Sequence, residues 1–213
     1  MKMKLAKIAA LSMAAVSLVL VTVLATVAFL TSRTSVTNSF TVGNVGIEMY
    51  ESYVVNGVKQ ADDPNVNGDK KDASANSYRL IPGKTYDKDP TIYLEEDSEE
   101  SYLFVKIDNG IVDIEAKGDT EISAQMSEKG WVLLPGSTNV YYYADDEGNP
   151  VKKCSGSVDV FSTFTIADNA DVSQYKGKKI DLTAYVIQAE GFAASAQGAA
   201  DAWDALEQEY NNN

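Results

Sequence analysis

The sequence predicts a mainly β chain, a jelly-roll-type β-sandwich carrying one or two short helices, one of them C-terminal. Three observations carry that expectation. Short apolar runs alternate with polar residues at period two, most clearly over 101–107, where Leu103, Val105 and Ile107 fall on one face and Tyr102 and Phe104 on the other. Turn-forming clusters such as Pro82-Gly83 and the Asp, Gly and Asn residues of 145–150 separate these runs. Helical periodicity is brief, and roughly seven or eight short strands suit a sandwich better than a bundle.

Taken in order, 39–50 reads as the first strand of the domain. Phe40 and Val42 alternate with polar neighbours, then Val45, Ile47 and Met49 take up a shifted alternation, so Gly43-Asn44 reads as a β-bulge. Over 51–77 the periodicity fades into Asp, Asn, Gly and Lys, as in a loop insertion. Strand character resumes at 78–81 and 91–94, and the acidic run 95–100 reads as a solvent-side turn. Both faces of 101–107 are apolar, which places that strand centrally in a sheet. Asp119-Thr120 reads as the cap of a short helix, with Ile122 and Met126 one turn apart and Gly130 at its end. Strands follow at 131–134, 139–144, 158–166 and 180–189. Ala196, Ala199, Trp203, Leu206 and Tyr210 then mark one face of the C-terminal helix.

Composition narrows the function. The chain of 213 residues holds 31 acidic against 18 basic residues, so nucleic acid and anionic lipid are disfavoured partners. It contains no histidine, which removes Ser-His-Asp and Cys-His catalysis and His-ligated zinc together. The single cysteine, Cys154, can form no intramolecular disulfide. It reads as a half-buried small apolar residue, with a bridge between two subunits as the alternative.

The N-terminus reads as an export signal. Lys2, Lys4 and Lys7 precede a stretch that stays uncharged up to Arg33, and Ala25, Thr26 and Ala28 are small enough for cleavage between Ala28 and Phe29. The apolar stretch is also long enough to span a bilayer, so an uncleaved anchor is the alternative. The expected organisation is a signal peptide over 1–28, an N-terminal arm over 29–38, and a β domain over 39–213 with its insertion at 51–77. In either case the domain is exported, to the extracellular matrix or the cell surface.

The run Ala28-Phe-Leu-Thr-Ser-Arg-Thr-Ser-Val-Thr-Asn-Ser-Phe-Thr-Val-Gly-Asn-Val-Gly-Ile47 resembles the camelysin/TasA family, in which a long leader runs straight into such a segment. Leu80-Ile-Pro-Gly83, Lys88-Asp-Pro90, Ser101-Tyr-Leu-Phe-Val-Lys106 and Thr183-Ala-Tyr-Val-Ile-Gln-Ala-Glu-Gly-Phe192 with Ala202-Trp203 are similar to family segments too, so the resemblance covers nearly the whole chain. It implies a leader cut by a dedicated ER-type signal peptidase of Gram-positive bacteria. It also implies a jelly-roll subunit of biofilm-matrix fibres, joined head to tail by an N-terminal strand inserted into the next subunit. A minor or anchoring fibre subunit would be a further partner. The arm suits that role: Phe29, Thr31, Thr34, Val36 and Thr37 are strand formers, and neither Pro nor Gly interrupts them. The peptidase label that the family carries through camelysin is not expected to transfer, because no H-E-x-x-H and no D-T-G or D-S-G pair is present.

One stretch suggests a metal. Asp63, Asn65, Asn67 and Asp69 stand at alternate positions of a calcium-loop pattern with Gly68 at its turn, but Ser74 replaces the bidentate Glu and Lys70 and Lys71 lower the local charge. The expectation is therefore no cofactor, with Ca2+ as the candidate exception. Leu134-Pro-Gly-Ser-Thr138 reads as a turn and not a sorting signal. Tyr141, Tyr142 and Tyr143 divide between two strand faces, so they do not specify a sugar-stacking shelf. The alternative function is a monomeric surface-binding or adhesion module stabilised by calcium.

Overall fold

A computed structural model describes residues 45–60, 76–96 and 98–210 in full, with the backbone alone of 31–35, 38–39 and 211. In chain order the strands are β1 (Thr31–Ser35), β2 (Asn38–Ser39), β3 (Ile47–Tyr50), β4 (Val54–Val55), β5 (Val58–Lys59), β6 (Thr85–Asp87), β7 (Thr91–Leu94) and β8 (Ser101–Asn109). Helix α1 (Ile122–Glu128) is followed by β9 (Trp131–Leu133), β10 (Val140–Tyr143), β11 (Gly156–Asp159), β12 (Thr163–Thr165), β13 (Ile180–Gln188) and helix α2 (Ala196–Asn211). The strands form a six-stranded sheet ordered β2-β1-β13-β8-β10-β9, a three-stranded sheet ordered β11-β7-β3, and the pairs β12-β6 and β4-β5. The expectation of a mainly β chain with a short internal helix and a C-terminal one holds.

β8 and β13 are the centre. They pair antiparallel along their full length, from Ile180 opposite Asn109 to Gln188 opposite Ser101. Leu103, Val105 and Ile107 with Leu182, Ala184 and Val186 point into one core, shared with Ile47, Ile92 and Phe161 of the facing layer. Tyr102, Phe104, Tyr185 and Ile187 point the other way, under Ala199, Ala202, Trp203 and Leu206 of α2. The sheet is therefore covered on both faces, and Trp203 seals the second one with its ring 5.0 Å from Tyr185 and 5.5 Å from Phe104.

Several elements depart from the sequence reading. The stretch 51–60 holds the hairpin β4-β5, turned at Asn56-Gly57, whose positive φ values of 53° and 84° are those of a type I′ turn. No strand forms over 78–81; the partner there is β6, which pairs with β12. The single strand expected over 158–166 is two, β11 and β12, in different sheets, with Val160 and Phe161 both buried at the corner between them. Of the first expected strand, β2 and β3 are described, and Gly43-Asn44 lies outside the described residues. Asp119-Thr120 does not cap α1. Glu121 occupies the cap position without a side-chain bond, and the carboxylate of Glu115 instead accepts the Ile122 N–H at 2.7 Å. Gly130, at φ 86°, ends that helical turn as expected.

Gln125 fastens α1 to the sandwich. Its amide donates to the Thr163 carbonyl at 2.9 Å while its oxygen accepts the N–H groups of Ser162 and Thr163. Trp131 performs the equivalent task for β9, donating to the Asp159 carbonyl at 2.9 Å.

Because α2 covers an otherwise open aromatic face, Trp203→Ala is expected to destabilise the protein by about 3–5 kcal/mol. Urea unfolding followed by tyrosine fluorescence measures it, and an unchanged midpoint would mean that α2 is dispensable to the fold.

Candidate functional site

The functional expectation rests on a sheet edge, and β13 has one. On its far side from β8 the backbone of β1 pairs with it antiparallel, Thr31 opposite Ile187, Arg33 opposite Tyr185 and Ser35 opposite Thr183. β1 covers five of the nine residues of β13, and β2 in turn pairs with β1 at Thr34–Ser39 and Ser35–Asn38. The edge that receives β1 belongs to a strand whose two faces are already buried by Leu182, Ala184 and Val186 on one side and by Tyr185 and Ile187 on the other. What it lacks without β1 is a backbone partner, and any extended segment can supply that through main-chain N–H and C=O groups. Of the residues assigned to the donor arm, Thr31 and Thr34 lie in β1. Phe29, Val36 and Thr37, and the cleavage position Ala28, lie outside the described residues. The sequence marked the arm but not its acceptor, because an edge strand buried on both faces has the same apolar pattern as a central one.

The candidate calcium residues Asp63, Asn65, Asn67 and Asp69 also lie outside the described residues, between Gln60 and Asn76. The two flanks are tied together. The Val54 N–H donates to the Asn76 side chain at 2.9 Å, and the Asn76 amide donates to the Ser52 carbonyl at 2.9 Å. Beneath them a polar cluster is built into the core. The Lys88 ammonium donates to both oxygens of Glu51 at 2.9 Å, the two side chains being 8% and 3% exposed. Asp89 accepts from the Ser52 N–H and hydroxyl and pairs with Lys59 at 2.9 Å. Burial, with Glu51, Asp89 and Asp87 nearby, holds the Tyr78 phenol far above its ordinary value, and its hydroxyl donates to the Asp87 carbonyl. Every charge in this cluster has a partner, and among the described residues no group of three metal-ligating side chains converges. Glu51 carried no signal in the sequence, since its partner stands 37 residues away.

A cleft of about 260 Å³ opens between β8, β10 and α1, lined by Ile107, Asn109, Glu115, Ile122, Met126 and Tyr141. Its one buried acid, Glu115, is occupied by the Ile122 N–H and by the Asn109 amide at 3.0 Å. Burial pushes its carboxyl above the ordinary value, against the opposing pull of those two hydrogen bonds. Asp108, Glu121, Ser123 and Thr138 also line the cleft, and the Glu121 charge adds to the rise. Tyr142 is buried under α2 and bonds the Gly148 carbonyl, while Tyr141 and Tyr143 turn to the other face, so the three tyrosines form no shelf. Cys154 is a free, exposed thiol, which corrects the expectation of a half-buried residue: it lies in an irregular stretch of the chain between β10 and β11.

Compared with protein-family models, curated proteins and solved structures, the chain finds no match.

Lys88→Met alone is expected to cost about 3–5 kcal/mol, because it strands a buried carboxylate, whereas Lys88→Met with Glu51→Leu is expected to recover most of that loss. Urea midpoints of the three proteins decide it, and equal loss in single and double variants would show that packing, not charge, is at stake. Glu115 adds a pH dependence. Its folded-state value is raised, so the folded chain keeps this proton to higher pH than the unfolded chain does, and stability falls as pH rises through that window. Glu115→Gln should flatten the fall, read as urea midpoints from roughly pH 4.5 to pH 8; an identical slope in the variant would assign it to other groups.

Proposed function

We propose that this chain is an exported, non-enzymatic structural subunit of extracellular fibres, of the TasA/camelysin type, that polymerises by donating the segment 29–38 to the β13 edge of another copy. The observation that supports it is the closing of a nine-residue, doubly buried strand by a five-residue strand from the far end of the chain. Exchange of that strand between copies keeps the same backbone bonds and creates a head-to-tail contact that does not close on itself, hence a filament. The leader 1–28 directs export and is cut between Ala28 and Phe29 by a signal peptidase of the ER type, leaving the arm as the new N-terminus. A leader left uncut would tether the same domain to the membrane. The absence of histidine from the sequence and the fully partnered state of Glu115 argue for no catalysis.

A second reading has its own support. β1 lies on the β13 edge of its own chain, and a self-closed edge suits a monomeric surface-binding module, with the 63–72 stretch of the sequence as its calcium candidate.

The deciding experiment is negative-stain electron microscopy of protein beginning at Phe29, beside a form lacking 29–38. Filaments from the first and soluble, folded monomer from the second are expected. Filaments that persist without 29–38 would sink strand donation. A synthetic peptide of sequence 29–38 is expected to bind the shortened form and raise its melting temperature with peptide concentration; a soluble monomer that ignores the peptide would favour the binding module.

A further inference from the structure

Strand donation fixes more than one contact, because β1 has a direction. It runs antiparallel to β13. Within one copy β2 folds back on β1 after Ser35, but a donated arm that gives up the β1–β2 pairs and stays extended past Ser35, opposite Thr183, heads toward Ile180, the end of β13 that follows directly on Lys176-Gly-Lys-Lys179. Lys176, Lys178 and Lys179 are all exposed, and none has an ion pair among the described residues. Carboxylates of neighbouring elements make their hydrogen bonds elsewhere: Asp171 accepts from the Ser173 N–H, Asp113 from the Tyr175 hydroxyl and Asp108 from the Asn139 amide. The Lys179 carbonyl accepts the Gly110 N–H at 2.8 Å, which holds this loop at the Asn109 end of β8.

The body to which β1 is joined begins at Val45-Gly46, and that point sits at the opposite end of the molecule. The Gly46 carbonyl accepts the Glu95 N–H at 3.0 Å, and the Glu95 side chain lies directly over the Gly46 α-carbon, where any Cβ would collide with it. Glu95, Glu96, Glu99 and Glu100 are exposed there, at the Ser101 end of β8. Asp145, Asp146 and Glu147 are exposed on the turn after β10, which ends on the same side; of the cations there, Lys152 pairs with Glu100 at 3.1 Å and Lys153 lies opposite Ser101, so the acids outnumber them. Within one copy the lysine end and the acid end are separated by the nine-residue length of β8, roughly 30 Å, so they cannot neutralise each other.

Resting on that reading of strand donation, we propose that consecutive copies dock end to end, the acid end of the donating copy (Glu95, Glu96, Glu99, Glu100) against the lysine loop of the accepting copy (Lys176, Lys178, Lys179). The chain from Ser35 to Val45 reaches roughly 33 Å at full extension. It leaves the acceptor at Thr183, roughly 13 Å short of Lys179. A donated strand that stays extended past Ser35 can therefore bring the Glu95 end of its own body up to the lysine end of the acceptor. The strand supplies the backbone bonds, and the charged ends supply the orientation and accelerate encounter, a contribution that salt weakens.

The test is filament growth by light scattering, with electron microscopy of the products, at low ionic strength and in roughly 0.5 M salt. It compares protein beginning at Phe29, the form lacking 29–38, and a variant carrying Lys176→Glu, Lys178→Glu and Lys179→Glu. Growth of the variant is expected to be at least about tenfold slower at low salt, with the difference shrinking in high salt. Adding Glu95→Lys, Glu96→Lys, Glu99→Lys and Glu100→Lys to the same chain is expected to restore growth. Binding of the 29–38 peptide to the shortened lysine variant is expected to be unchanged, which separates the docking surface from the β13 edge. Growth of the lysine variant at the parent rate would overturn the docking surface and leave strand donation standing, as would loss of peptide binding, which would move the effect to the edge. No filaments from the parent protein would overturn both.

Discussion

The antiparallel pairing of β8 with β13 constrains everything else in the molecule. Nine residues of each strand are in register, and both faces of both strands carry large apolar side chains. A two-strand ribbon with that composition cannot stand in water, so each face requires a cover. The layer containing β3, β7 and β11 covers one, and α2 covers the other. A register shift of one residue would exchange Tyr102 and Phe104 for Leu103 and Val105, presenting rings to the tighter core and small side chains to α2. The covers therefore hold the register as much as the backbone bonds do.

The two sides of that ribbon are finished differently. Beyond β8 the sheet continues into β10 and β9, which are close in sequence and braced by Trp131 on the Asp159 carbonyl and by α1 through Gln125. Beyond β13 it continues into β1 and β2, which lie near the opposite end of the chain from β13. One edge is thus built from the domain, and the other is filled by an arm. A second asymmetry runs along the strands, where Lys176, Lys178 and Lys179 are exposed at one end of β8 and β13 and Glu95, Glu96, Glu99 and Glu100 at the other.

Much of this was legible in the sequence, where local periodicity and final environment agree. The faces of β8, its central position and the buried stripe of α2 could be read because period two and period 3.6 are properties of neighbouring residues. What was not legible depends on distant partners. The corner between β11 and β12 was hidden because Val158, Val160, Phe161, Phe164 and Ile166 read as one apolar run; only the adjacent burial of Val160 and Phe161, which no single strand face permits, separates them. β6 exists through its pairing with β12, not through the propensity of Thr85-Tyr-Asp87. The cap of α1 comes from Glu115, outside the positions that local capping motifs occupy. Of the site, the arm was visible as a strand-forming segment without Pro or Gly, while the edge that takes it and the charged ends beside it required the topology.

The balance between a closed monomer and a filament then follows from what each form keeps. The pairing of β1 with β13 is the same whether β1 comes from its own chain or another, because the bonds are main-chain and the register is set by β13. The closed form also keeps the β1–β2 pairs, Thr34–Ser39 and Ser35–Asn38, and has the advantage of a tethered strand at an effective concentration in the millimolar range. A filament gives up both. Backbone pairing alone cannot favour it, since that term cancels. A compensating contact must exist only between copies, and the opposed charges at the two ends of β8 are groups that one copy cannot bring together by itself. If the chain polymerises, its tendency to do so should therefore track ionic strength and those two loops more closely than any substitution along the β1–β13 ladder that leaves the pairing intact.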